Sequence, residues 1–127
     1  MQHTDKRIVV LVSGGGTNLQ ALIDAQNRGE IIGGKITCVI SSKADAYALT
    51  RARENGIPTR VLVRKEYPDV ASYSRAILAA LQEEQADLVV YAGFMTILDE
   101  SVCRAYPNRM MNVHPALIPS FCGKGFY

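Results

Sequence analysis

The chain holds no tryptophan, three cysteines and two histidines in 127 residues, and each scarcity closes off a class of function. Cys38, Cys103 and Cys122 share no metal-ligand spacing, and their number is odd. They read as reduced thiols of a cytoplasmic protein rather than as a disulfide framework. His3 and His114 are the only imidazoles, too few for a structural zinc site, so no metal is expected. No apolar run nears the ~18 residues of a membrane span, and no signal-peptide core opens the chain. The expected compartment is the cytoplasm, with no membrane partner. A strong charge of one sign is missing too: the formal net charge is +2, and the basic residues are scattered. They read as solvated surface, which leaves no expectation of a nucleic-acid partner.

What is present suits one α/β domain spanning residues 1–127, since a chain this long can bury its own core. Residues 8–12, "IVVLV", form a short β-branched run that reads as a buried strand. Residues 18–28 carry Leu19, Leu22 and Ile23 at helical spacing, with Gly29 as the stop. Residues 35–41 read as a second strand, and Asp45 is expected to cap a helix that buries Ala48, Leu49 and Ala52 before Gly56. A short third strand over 60–63 precedes a longer helix opened by Asp69, with Val70, Tyr73, Ile77, Leu78 and Leu81 on one stripe. A fourth strand over 87–92, a short helix over 99–106 and a fifth strand over 109–113 complete the series. Strands alternating with helices in this way predict a three-layer fold, a mostly parallel sheet of about five strands with helices on both faces.

Two stretches carry the chemistry. "SGGGTNLQ", residues 13–20, follows the first strand directly. Three glycines surrender packing and backbone entropy, so a close approach to this backbone is expected. A strand, a glycine turn and a helix start together make an anion site, because backbone N–H groups and the helix dipole favour negative charge there. Gly14 to Asn18 therefore read as a phosphate cradle, with Thr17 and Asn18 able to donate from their side chains. The loop departs from a dinucleotide fingerprint, since Leu19 stands where the third glycine belongs, and it lacks the Gly-Lys-Ser/Thr of a P-loop. A monophosphate suits it better.

The second stretch is "MMNVHP". Asn112 and His114, two apart on a strand, share a face, and Pro115 ends the ladder just beyond them. Both are then expected at the carboxyl edge of the sheet, where open α/β folds hold ligands. A carboxamide beside an imidazole suits acyl chemistry: the amide donates to an oxyanion, and the histidine carries protons or charge. "AGFMTIL", residues 92–98, leaves the same edge as an apolar loop suited to a flat ring.

Together these segments resemble glycinamide ribonucleotide formyltransferase, the folate-dependent family of purine synthesis. The likeness runs from about residue 6 onward, through residues 8–20, 42–46, 92–95 and 112–115. The resemblance implies a Rossmann-like formyltransferase fold and transfer of a formyl group from 10-formyltetrahydrofolate, a co-substrate, to the amine of glycinamide ribonucleotide. It implies that Gly16, Thr17 and Asn18 hold the ribose phosphate. Met95, Thr96, Ile97, Leu98 and Asn112 would line the folate pocket, and Asn112 and His114 would be catalytic. The family often has Asn where this chain has Gly15. Its catalytic aspartate and last strands follow the point where this chain stops, so the expectation is an N-terminal portion with weak or absent turnover.

Other readings stay open at this level. Another 10-formyltetrahydrofolate enzyme, a deformylase or a tRNA formyltransferase, would not need the glycine loop. A phosphate-binding α/β module without catalysis would keep its affinity when His114 is lost. A homodimer would cover the apolar surface that the fifth strand and the tail, residues 119–127, would otherwise leave bare.

Overall fold

The computed structural model describes residues 6–31 and 33–112. Val113, His114, Pro115, Cys122 and the tail lie outside them. In chain order the elements are β1 (Lys6–Val12), α1 (Thr17–Asn27), β2 (Gly34–Ser41), α2 (Tyr47–Glu54) and β3 (Thr59–Val61). A 3-10 turn, Arg64–Glu66, then leads to α3 (Val70–Glu83), β4 (Leu88–Tyr91), α4 (Glu100–Ala105) and β5 (Met110–Asn112). The five strands are all parallel, in the order β3-β2-β1-β4-β5. The expected α/β architecture is present: β1, β2 and β3 begin one or two residues before their expected starts, and β3, β4 and β5 end one or two residues short.

β1 sits at the centre because both of its faces are apolar. Ile8, Val10 and Val12 pack with Leu19 and Ile23 of α1 and Ala48 and Ala52 of α2. Val9 and Leu11 point the other way, against Tyr73, Ile77 and Leu81 of α3 and Val102 of α4. Each such side chain, fully buried, contributes about 1.5–3 kcal/mol from the water it sheds. The period-two alternation of a strand is what divides one run of five apolar residues between two cores.

The expected caps of α3 and α2 fare differently. Asp69 caps α3 by accepting the Ser72 N–H at 2.8 Å, as expected. Asp45 does not cap α2: the cap position is Ala46, without a side-chain bond. The reason is tertiary. The Ala48 N–H, one of the donors a cap would satisfy, goes instead to the carbonyl of Gly14 at 3.1 Å. The expectation of reduced thiols holds for Cys38 and not for Cys103. Cys38 is buried and free, its pKa pushed up to about 12, chiefly by burial, whereas Cys103 is disulfide-bonded.

Candidate active site

Strand order turns at β1. From it the chain runs outward to β2 and β3, while β4 lies on its other side. The connection after β1 enters α1 on one face of the sheet, and that after β4 leads to α4 on the other. Diverging connections open a crevice at the carboxyl ends of the strands, the place where such sheets bind ligands.

The glycine loop forms one wall of this crevice. Gly16 is the N-cap of α1, in the left-handed region at φ 84°, and no side chain caps that helix. A β-carbon on Gly16 would stand 2.7 Å from Cβ of Ala48, whereas one on Gly14 or Gly15 would meet nothing within 4 Å. The approach that excludes a side chain at Gly16 is thus made by α2, and the room beside Gly14 and Gly15 is open. The loop carbonyls are committed to α2 as well. That of Gly14 accepts the Ala48 N–H, and that of Gly15 accepts Arg51 Nε at 2.7 Å. In a trans peptide the N–H lies opposite the C=O, so the amides of Gly15 and Gly16 point away from α2. Uncapped first-turn N–H groups of α1 follow directly, with Thr17 exposed and Asn18 half-buried beside them. Donors without carbonyls among them make a nest for an anion.

The second wall is the loop after β4. Met95 and Ile97 are exposed by 79% and 75%, large values for apolar side chains, while Leu98 turns inward onto the α3–α4 core. Met95 and Thr96 line a cavity of about 510 Å³ with Ser13, Ser42, Lys43, Asp45, Arg64 and Lys65 among its other walls. Three cations against one carboxylate make this cavity electropositive. The 3-10 turn carries two of those cations, Arg64 and Lys65, and Arg64 is held by Tyr73, which is wholly buried. Its hydroxyl donates to the Leu62 carbonyl at 2.6 Å, and its ring lies under the Arg64 guanidinium at 5.8 Å. Arg64 also donates to the Tyr67 carbonyl at 3.1 Å.

Asn112 ends β5 level with Tyr91 of β4, which in turn is level with Leu11 of β1. Its backbone therefore reaches the same edge as the glycine loop, two strand spacings or about 10 Å across the sheet. The backbone thus brings the strand end at Asn112, the glycine loop and residues 95–97 to one edge of the sheet. His114 lies outside the described residues. Among the described residues no group of three or more His, Cys, Asp or Glu could hold a metal, and no helix is long and apolar enough to cross a membrane.

Sequence reasoning passed over Arg51 and the buried pair Ser13 and Ser42. Tyr47 and Arg51, four apart on α2, were legible as neighbours on a helix, and the guanidinium does lie 5.0 Å over that ring. Nothing local said that this face of α2 meets the glycine loop.

Known proteins match this arrangement closely. The chain is similar to the phosphoribosylglycinamide formyltransferase of Haemophilus influenzae, at 44% identity over 96% of this chain and 57% of that protein. It is similar to the enzyme of the same name from Escherichia coli, at 42% identity over 91% of this chain and 54% of that protein. A crystal structure of glycinamide ribonucleotide transformylase 1 from Symbiobacterium toebii superposes with a TM-score of 0.84 at 42% identity, covering 94% of this chain and 56% of that one. The chain thus spans about half the length of the relatives it matches. The formyl transferase family model matches residues 6–126, nearly the whole chain and every element of the crevice, and the chain belongs to that family.

Proposed function

We propose that this chain carries the ribose-phosphate site and part of the transfer site of an enzyme that moves a formyl group from 10-formyltetrahydrofolate to the amine of glycinamide ribonucleotide. The carrying observation is the commitment of the Gly14 and Gly15 carbonyls to α2, which turns the following amides outward as an anion nest. Gly16, Thr17 and Asn18 hold the phosphate in this reading. The ribose then directs the glycinamide arm across the edge toward Asn112.

The exposed Met95 and Ile97 fit a folate, since they present apolar surface for a flat ring beside an electropositive cavity. Folates carry glutamate carboxylates, and Lys43, Arg64 and Lys65 line that cavity. The two partners are thus small molecules. In the transfer, the amine nitrogen bonds to the formyl carbon, giving a tetrahedral centre with a negative oxygen. The Asn112 carboxamide and a protonated His114 stabilise that oxygen. The bond to the folate nitrogen then breaks, with a proton moving from the amine to the departing nitrogen. No step calls for a metal.

Calorimetric titration of the chain with glycinamide ribonucleotide and with ribose 5-phosphate tests the reading. Binding of both, tighter for the ribonucleotide, is expected. Equal affinity for both would favour a phosphate-binding module without glycinamide recognition. Binding of neither would overturn the assignment of the glycine loop.

A further inference from the structure

Residues 93–98 leave β4 and return to α4 between two pins, both buried serine hydroxyls. At the far end the Ser74 hydroxyl accepts the Asp99 N–H at 2.8 Å. At the near end the Ser13 hydroxyl accepts the Met95 N–H at 2.9 Å. Ser74 belongs to α3 and anchors the loop to the core. Ser13 is different, because it is the residue before the glycine loop itself. It is 2% exposed and shares a 2.7 Å hydrogen bond with the Ser42 hydroxyl, which follows β2. The Ser42 N–H in turn donates to the Val12 carbonyl at 3.0 Å. One hydroxyl thereby joins the ends of three neighbouring strands at the floor of the electropositive cavity.

We infer that Ser13 is a positioning residue: its hydroxyl fixes residues 95–98 relative to the glycine loop and so sets the affinity of the folate half of the crevice. This rests on the reading given under Proposed function. The geometry separates Ser13 from a merely structural serine. Ser13 and Ser42 are equally buried members of one pair, yet only Ser13 receives the Met95 amide. Removing either deletes a buried hydroxyl; removing Ser13 alone also releases the loop. A lost hydrogen bond at such a pin corresponds to about tenfold in an equilibrium constant.

The test compares Ser13→Ala with Ser42→Ala in the full chain by two readouts: amide hydrogen exchange at Met95, and calorimetric affinity for tetrahydrofolate and ribose 5-phosphate. For Ser13→Ala the Met95 amide is expected to exchange about tenfold faster and tetrahydrofolate to bind about tenfold more weakly, with ribose 5-phosphate within about twofold of the parent. Ser42→Ala is expected to leave Met95 protection near the parent value and to weaken tetrahydrofolate binding clearly less than Ser13→Ala does. Unchanged Met95 protection in Ser13→Ala, equal effects of the two variants, or equal losses for both ligands would overturn the inference. If the parent chain binds neither ligand, the functional reading fails and hydrogen exchange alone decides the positioning. Should Ser13→Ala not fold, Ser13→Cys, which keeps the volume and weakens the acceptor, is read in the same way.

Discussion

Gly16 and Ala48 lie so close that a β-carbon on the glycine would sit 2.7 Å from the alanine side chain and 2.8 Å from its Cα. That contact locks the start of α1 against the start of α2 and makes the anion nest a product of helix packing. Ala48 is wholly buried and cannot yield. Gly16→Ala must both strain a left-handed residue and push two helices apart, a cost of about 2–4 kcal/mol. Urea denaturation is expected to register this, with ribose 5-phosphate affinity lost as well. Gly15→Ala, with nothing within 4 Å, is expected to stay within about 1 kcal/mol of the parent.

Arg51 holds the loop from outside, donating from Nε to the Gly15 carbonyl at 2.7 Å and from Nη1 to Gln20 Oε1 at 3.2 Å. Arg51→Ala frees the carbonyl that orients the Gly16 amide. Ribose 5-phosphate affinity, measured by calorimetry, is expected to fall about three- to tenfold. Arg51→Lys is expected to recover little of it, because a point charge cannot keep both bonds of a planar fork.

Acid is expected to weaken the fold through two caps. The Ser72 backbone N–H holds Asp69 below the ordinary carboxylate range, and the Ser101 hydroxyl followed by its N–H does the same for Asp99. A carboxylate whose folded pKa lies below its unfolded one leaves the unfolded chain with more protons in between. Its stabilisation is present above the unfolded pKa and is lost as pH falls through the folded one. Thermal midpoints should therefore drop below about pH 5 through these groups. In Asp69→Asn, which keeps an acceptor but cannot titrate, the midpoint is expected to vary less with pH over that window.

Gln85 follows α3 at φ 57°, donating to the Gln82 carbonyl at 3.1 Å, while the Ala86 N–H reaches the Leu81 carbonyl at 3.0 Å. This is the left-handed helix ending that favours glycine. Gln85→Gly is expected to stabilise the chain by about 0.5–1 kcal/mol, the relief of the side-chain clash less the added freedom of the unfolded glycine. Chemical denaturation at fixed pH checks both size and sign.

Local pattern alone determined much of this protein. The apolar run 8–12, the stripe from Val70 to Leu81, the Asp69 cap and the glycine turn are statements about neighbours in the chain, and backbone geometry obeys them. For the same reason the glycine loop and the strand end at Asn112 could be placed on one edge, since parallel strands all finish on the same side. Tertiary structure decided the rest. At Thr37 the register between β1 and β2 slips by one residue, so Ile36 faces one core and Cys38 the other, against simple alternation. Asp45 gave up its expected cap because a carbonyl more than thirty residues away took the donor at Ala48. The junction at Ser13, Ser42 and Met95 joins three strand ends separated by up to 82 positions. No local rule reaches that far: which loops become neighbours follows from the strand order β3-β2-β1-β4-β5, and that order is set by burying both faces of β1 at once.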